Sequence, residues 1–578
     1  MEAGVKTRPI GLVLAAIVIT VLGCAPARAP ETGQRSGSAA GEPQRSTSLT
    51  MLVRYEPPSL AVKALRDAGA GISSTTRLFN AQLDMDDGEG GVAAYLAEEL
   101  PRLNTDSWRV LPDGRMETSY RLRPNLTWHD GKPLTADDFV FAWRVYTRPL
   151  LGVGSQVLSL MEEVSSTDPR SVMIRWRQPY PDAGGLRMEF QPLPRHLLGD
   201  ALDTGDPEGF VTLPFWTNEY VGVGPYRLTR WEPGALLEAA AFDGHALGRP
   251  KIDRLIVRFV PDENTALTNL LAGEGQYATG RSLRFEHAQV LKREWTPTAK
   301  GSVLLTPDTP RYTSVQFRTD FVNPQALHDL RVRKALVTST DRQALNDAIF
   351  DGAGAMIDMF IAKHTAYDRV PDVERVISLA ERAITRYPFD LRRAEEYFAE
   401  AGFRRGNDGV LINGAGERMS MEVWADAGPQ YEKEQAIMAD IWKGIGVETK
   451  VSFVPPARLR DNEWRSSFPA LHTTSAGRLE SMASVGIPTP QNRWGGSNRG
   501  SWSNAEYDRL WDAFNTTLEP STRGDLAVQM LKMGSEELPM WVLYHNQSVS
   551  AHVAGVKGPN NSSLNSDTWN IYLWEVTQ

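Results

Sequence analysis

The chain has 578 residues, 41% of them apolar and 23% charged, and carries a net charge of −9. A single hydrophobic core stops growing near ~250–300 residues, so this length calls for two or three domains of ordinary globular composition. The acidic balance, with no basic stripe interleaved with aromatics, excludes an electrostatic nucleic-acid footprint, and no nucleic-acid partner is expected.

At the start of the chain, Lys6 and Arg8 precede an apolar run that ends in Val21-Leu22-Gly23-Cys24. The run is shorter than the roughly 20 residues a membrane-spanning helix needs, so residues 1–23 read as an export signal. The Leu-Gly-Cys ending resembles a bacterial lipobox, in which cleavage before the cysteine leaves a thiol that carries diacylglycerol. Cys24 is therefore the expected lipidation site and membrane anchor. It is the sole cysteine, which excludes an intramolecular disulfide and a cysteine-based zinc site. Residues 24–48 continue as a stretch rich in Pro, Gly, Ser and charge, with no aliphatic larger than Ala after the cysteine. Such a segment cannot bury enough apolar surface to offset its ordering entropy and is expected to be a flexible tether.

The body begins with a strand over 50–55, broken by Pro57-Pro58. Residues 91–100 look helical from their Ala, Leu and Glu content, with Pro101 just beyond. A strand over 117–122 leads towards a helix over 134–147, which Thr135 caps and Asp138 supports from the capping-box position. Strands follow over 171–176, 234–242 and 255–260. A helix over 263–272 is stopped by Gly273. Helices are expected at 329–339, 341–350, 390–401 and 431–445, the last followed by a strand over 447–454. Strands alternating with helices indicate α/β layers.

Catalytic signatures are sparse. The nine histidines form no H-E-x-x-H, no G-x-S-x-G elbow occurs, and Leu126 stands where a phosphate-binding loop ending at Gly131-Lys132 needs glycine. Asp84-Met85-Asp86-Asp87-Gly88 follows a calcium loop for three positions and then departs from it at Glu89 and Tyr95, so it reads as a solvated acidic turn. His129-Asp130 reads as part of a turn held by Asp130 and Gly131. No catalytic residue, metal ligand or cofactor is expected.

One segment is more specific. Residues 122–141, LRPNLTWHDGKPLTADDFVF, resemble the signature of family 5 of the bacterial extracellular solute-binding proteins, roughly L-R-x-G-v-k-F-H-D-G-x-P-L-T-A-x-D-V-v-F. Further blocks follow in that family's order: GVGPY at 222–226, PDENTA to LLAGE within 261–274, LRVRKAL at 330–336 with Asp341-Arg342, residues 390–402, SNAEYD at 503–508, and residues 537–544. The resemblance implies an α/β, two-lobed periplasmic-binding-protein-like fold (type II, the large three-subdomain form) with a hinge between the lobes. The first lobe would comprise 49–301 plus 539–578, with an inserted subdomain at about 85–219, and the second 302–538.

The resemblance also implies a monomeric receptor, not an enzyme. It would be held on the outer face of the cytoplasmic membrane, bind a small peptide-like molecule between its lobes and present it to the permease subunits of an ABC importer. Peptide-binding members usually carry an A-D-Y-x-D-P-like stretch whose acid neutralises the peptide ammonium. The corresponding residues 467–480 read SFPALHTTSAGRLE, with Glu480 as their one acid. The ligand is thus either not a free-amino peptide or is anchored elsewhere. The chain has 16 tryptophans, and aromatic rings suit a cleft for varied apolar surface. Trp424 and Trp494, in loop-like sequence, and Tyr55, after the first strand, are the candidate ligand-binding rings. Arg478 is the candidate donor to a ligand carboxylate. A receptor for an oligosaccharide or metal chelate, a surface-anchored hydrolase and a sensor or scaffold lipoprotein remain alternatives.

Overall fold

The computed structural model describes residues 47–63, 73–88, 91–148, 151, 155–362, 369–458, 461–560 and 567–577. The export signal, Cys24 and nearly all of the tether lie outside these residues. A ten-stranded sheet runs through the body. Its strands, in chain order, are β1 (Ser48–Val53), β2 (Tyr226–Glu232), β3 (Leu236–Ala241), β4 (Arg254–Phe259), β5 (Tyr277–Ala278), β6 (Gly301–Val315), β7 (Ser420–Ala425), β8 (Glu448–Phe453), β9 (Leu471–Ser475) and β10 (Met540–Val553). Their spatial order is β8-β7-β9-β6-β10-β5-β1-β4-β3-β2.

The two long strands explain the lobes. β6 and β10 pair antiparallel along their length. β9 joins β6 only over Arg311–Val315, at one end. β5 joins β10 only over Ala551 and His552, at the other. Between those ends, among the described residues, the sheet narrows to β6 and β10 alone. The ribbon's register slips between Pro307 and Pro310, where proline supplies no N–H to the ladder. A two-stranded ribbon with an interrupted ladder resists bending and twisting far less than a wide sheet, so the hinge falls there. The large apolar cores on its two sides share no described residue: one gathers Leu49, Phe79, Trp176, Tyr226 and Trp574, the other Leu336, Val423, Met438, Trp442 and Tyr544.

Between β1 and β2 in the chain lies a separate four-stranded antiparallel sheet, Trp108–Val110, Met116–Arg121, Ser171–Trp176 and Met161–Asp168 in spatial order. The helix Ala136–Thr147 packs on it, with Phe139, Phe141, Val145 and Tyr146 buried. The motif blocks at 122–141 and 222–226 are joined to each other here. His129 clasps the glycine turn: its Nδ1 accepts from the Gly222 N–H at 3.2 Å and its Nε2 lies 3.0 Å from the Gly224 carbonyl. Glycine is required at 224 because a Cβ would stand 2.3 Å from the Asn80 nitrogen. Asp130 accepts from the Lys132 N–H, and Gly131 takes φ 82°, the turn expected from sequence.

Two sequence expectations are corrected. Residues 91–100 are not helical: Val92–Ala94 pairs antiparallel with Asp84–Asp86, and the Tyr95 and Leu96 amides bond to the Leu83 and Gln82 carbonyls. Burial of Tyr95, Leu96 and Ala97 in the core overrides local helix propensity. The acidic run at 84–88 is not wholly solvated either. Asp84 and Asp86 are buried, with Arg77 3.1 Å from Asp86 and the Arg187 amide donating to Asp84. Burial raises the Asp84 carboxyl to about 6.

Candidate functional site

Strand direction locates the site. β7 and β9 are parallel, and β9 runs antiparallel to β6, so both end towards the ribbon. On the other side β1 and β5 are parallel, and β5 runs antiparallel to β10, so they end towards the ribbon as well. The carboxyl ends of parallel strands in the two lobes therefore face each other across the hinge. Ligands of open α/β sheets bind at such ends.

On the second-lobe side the chemistry centres on Arg311 of β6. Arg311 and Glu434 are both fully buried. Arg311 donates to both Glu434 oxygens, with Nε–Oε2 and Nη2–Oε1 at 2.9 Å, and through Nη1 to Asp426 at 2.6 Å. Glu434 lies on the helix Pro429–Gly444, and Asp426 directly follows β7. The Tyr544 hydroxyl and the Gln435 amide also donate to Glu434. The Tyr431 ring lies 4.0 Å from the guanidinium carbon. Burial works to raise the Asp426 carboxyl, but Arg311 and other nearby cations hold it below the usual carboxylate range. One arginine thus occupies both carboxylates at the end of β7.

The opposite face of the same strands carries Tyr312, His472 and Trp424, since side chains alternate along a strand and Trp424 pairs in register with His472. All three are buried. Burial takes the His472 imidazole down to about 3, so it is neutral. The charges of Arg465 and Arg499 act on both His472 and Tyr312.

The four residues singled out from sequence fall as follows. Tyr55 stands just beyond the end of β1 and is 51% exposed, with the Arg54 guanidinium 5.0 Å from its ring. Arg478 stands beyond the end of β9, its Nη1 3.6 Å from Glu480. Trp424 is on strand β7 rather than in a loop. It is 9% exposed and stacks on Trp464 at 4.2 Å, because the pattern Met421-Glu422-Val423-Trp424-Ala425 completes a strand before the Gly428-Pro429 break. Trp494 is in a turn, partly buried, with φ 61°. The ends of β1 and β9 place Tyr55 and Arg478 on the facing edges. No ring contact or hydrogen bond joins Trp494 to the other three among the described residues. A separate pocket lined by Met359, Phe360, Leu531, Met540 and Trp541 contains none of the four.

Sequence reasoning does not find Arg311, Asp426, Glu434, Arg465 or Arg499. Asp426 carries one usable signal, an acid directly after a strand. Among the described residues, no group of three His, Cys, Asp or Glu side chains could hold a metal ion, and no helix is long and apolar enough to cross a membrane.

Two lobes on a two-stranded ribbon, with strand ends opposed across it, are the layout of a hinged binding protein. The family model of the bacterial extracellular solute-binding proteins, family 5 (middle), matches residues 99–482, and the chain belongs to this family of solute receptors. The chain is similar to the oligopeptide-binding protein AppA of Bacillus subtilis strain 168, with 20% identity covering 96% of this chain and 97% of that one. Its fold is similar to an oligopeptide-binding protein from Thermus thermophilus complexed with a pentapeptide (TM-score 0.72, 22% identity, 92% and 96% covered). It is also similar to NikZ from Campylobacter jejuni in complex with Ni(L-His) (TM-score 0.71, 20% identity, 91% and 99% covered).

Proposed function

We propose that this receptor captures a small peptide-like solute between its lobes and delivers it, chemically unchanged, to the permease of an ABC importer. The observation that carries this reading is the opposition of parallel strand ends across the β6–β10 ribbon, which gives a site that only a closed molecule can complete. Tyr55 and Arg478 are proposed to line it from the two sides, with Trp424 and Trp494 contributing rings from the second lobe. The lobe boundaries are proposed to fall near 301 and 539, where each ribbon strand begins.

Contacts between the lobes support closure as the working motion. Arg523, on the helix Pro520–Glu537, makes a bidentate ion pair with Asp182 of the inserted subdomain, at 2.7 and 2.9 Å. Arg369 reaches the Tyr180 hydroxyl at 2.5 Å. A ligand closes the lobes only through its preference for the closed form. Solute identified by native mass spectrometry is expected to reduce the radius of gyration in solution scattering. Arg523→Gln is expected to weaken its binding by about 2 kcal/mol, roughly thirtyfold, by removing the clamp from the closed form. Identical scattering with and without saturating solute would sink the closure mechanism.

The receptor is further proposed to be exported and anchored through lipid on Cys24, with the following residues as tether. The motivation is the apolar run ending in Val21-Leu22-Gly23-Cys24. Cys24→Ser is expected to block lipidation and signal removal in cells. A variant that matures and partitions into detergent like the natural chain would overturn the assignment.

A further inference from the structure

We propose that Arg499 is the centre of an anion-binding subsite, and that the captured solute places a carboxylate or phosphate group there. This rests on the receptor reading above and specifies the chemistry of its ligand.

Arg499 is held by structure rather than free on the surface. The Phe317 N–H donates to the neighbouring Gly500 carbonyl at 2.7 Å, and a Cβ on Gly500 would stand 2.2 Å from the Val315 carbonyl oxygen. The loop is clamped along the end of β6, and Arg499 shares the electrostatic neighbourhood of Tyr312 and His472 with Arg465. Its Nε is sealed from solvent without a partner, and no hydrogen bond or ion pair joins its guanidinium to a described residue.

Among the described residues, the nearby acids are already engaged. Asp426 and Glu434 both bind Arg311, and Glu480 is 3.6 Å from Arg478. Tyr312 and His472 are neutral, so neither supplies a counter-charge. Burial and the repulsion of Arg465 outweigh the attraction of Asp426, whose charge is shared with Arg311, and bring Arg499 down to about 10, which leaves it charged at neutral pH. A confined cation without a direct ion-pair partner is costly, and arginine does not escape that cost by losing its proton. A planar guanidinium fork is suited to a bidentate oxyanion. An ammonium group would instead meet two like charges and, among the described residues, no unengaged carboxylate. The stacked Trp424–Trp464 pair on the same sheet face supplies apolar wall for the body of such a solute.

The test uses the mature protein, its natural form and Arg499→Met, with four probes: trialanine, its N-acetylated C-terminal amide, citrate and inorganic phosphate. Binding is read by calorimetry and tryptophan fluorescence. The expected result is that at least one anionic probe binds the natural protein, that the uncharged amide binds at least tenfold more weakly, and that Arg499→Met loses tenfold or more for that anion. Trialanine or citrate binding without phosphate assigns a carboxylate site, and the converse a phosphate site. In ligand-free protein, Arg499→Met is expected to melt no lower than the natural protein, because it removes an uncompensated charge. A melting temperature several degrees lower would make Arg499 a structural residue and overturn the proposal. So would equal anion binding by the variant, or no binding of any anion at millimolar concentration. If a neutral or cationic solute closes the lobes in scattering with Arg499→Met unimpaired, the anion subsite fails while the receptor reading stands.

Discussion

Replacing Glu434 with glutamine is expected to destabilise the second lobe by about 3–5 kcal/mol, the cost of stranding a buried guanidinium after removing its partner. The residue takes three hydrogen bonds from Arg311 and one each from Tyr544 and Gln435, in a place where neither Arg311 nor Glu434 has solvent exposure. Glutamine keeps the size but loses the charge, and one of its two head atoms becomes a donor facing donors. Asp426 remains 2.6 Å from Arg311 and holds back part of the loss, which places the expectation towards the lower end of the range. For a lobe of this size the shift in melting temperature is roughly 5–15 °C. The double variant Arg311→Met with Glu434→Leu is expected to recover only part of it, because it removes the stranded guanidinium but takes from Asp426, the Tyr544 hydroxyl and the Gln435 amide the partners they have here. Calorimetry on the two variants decides the matter. A loss below about 1 kcal/mol for the single change would show that the pair is not a main support of the cleft wall.

Much of the fold is readable from local pattern, and the reasons are specific. Residues 171–176 and 263–272, expected as strand and helix, are Ser171–Trp176 and Glu263–Ala272. In both, alternation or capping lies within the segment itself: Asp262 caps the helix through its bond to the Thr265 amide, and Gly273 ends it at φ 76°. The hinge strands do not read as strands because Pro307 and Pro310 interrupt the first of them and because their partners are each other, more than 200 residues apart in the chain. The cleft is hidden for the same reason. Arg311 meets Glu434 across 123 positions and Arg523 meets Asp182 across 341. No local spacing encodes such pairs. Trp424 reads as loop because the Gly428-Pro429 break lies close to a short strand, and nearby turn residues mask its sheet pattern.

The family signature marks the inserted sheet's turn and helix, not the cleft, and its histidine leads to the second large expectation. His129 is bound at both ring nitrogens as a neutral imidazole: Nδ1 accepts from Gly222, which leaves the proton on Nε2 to be donated to Gly224. A second proton would set an N–H against the Gly222 N–H. Burial is the main cause that lowers its pKa to about 4, with Arg227 adding to the effect. An unfolded chain binds that proton near pH ~6.5. Between these values the unfolded state holds more protons, so the stability His129 contributes is complete above pH ~6.5 and is lost as pH falls towards 4. The loss amounts to about 3 kcal/mol. His245, lowered to about 4, and His472, lowered to about 3, act in the same direction. Asp84, raised to about 6, acts in the opposite one, because its protonation relieves the folded state as pH falls from 6 towards 4. Burial also lowers His545 and His552, which adds to the histidine side, and raises Asp138 and Asp567, which adds to the carboxyl side. His129→Gln keeps a group able to accept and donate but does not titrate. The stability advantage of the natural protein over this variant is therefore expected to be largest at pH ~7 and to shrink by about 3 kcal/mol at pH ~4, measured by denaturant unfolding across that range. A difference that stays constant across that range would mean that the clasp accepts the charged imidazole, and that the acid sensitivity of the fold lies elsewhere.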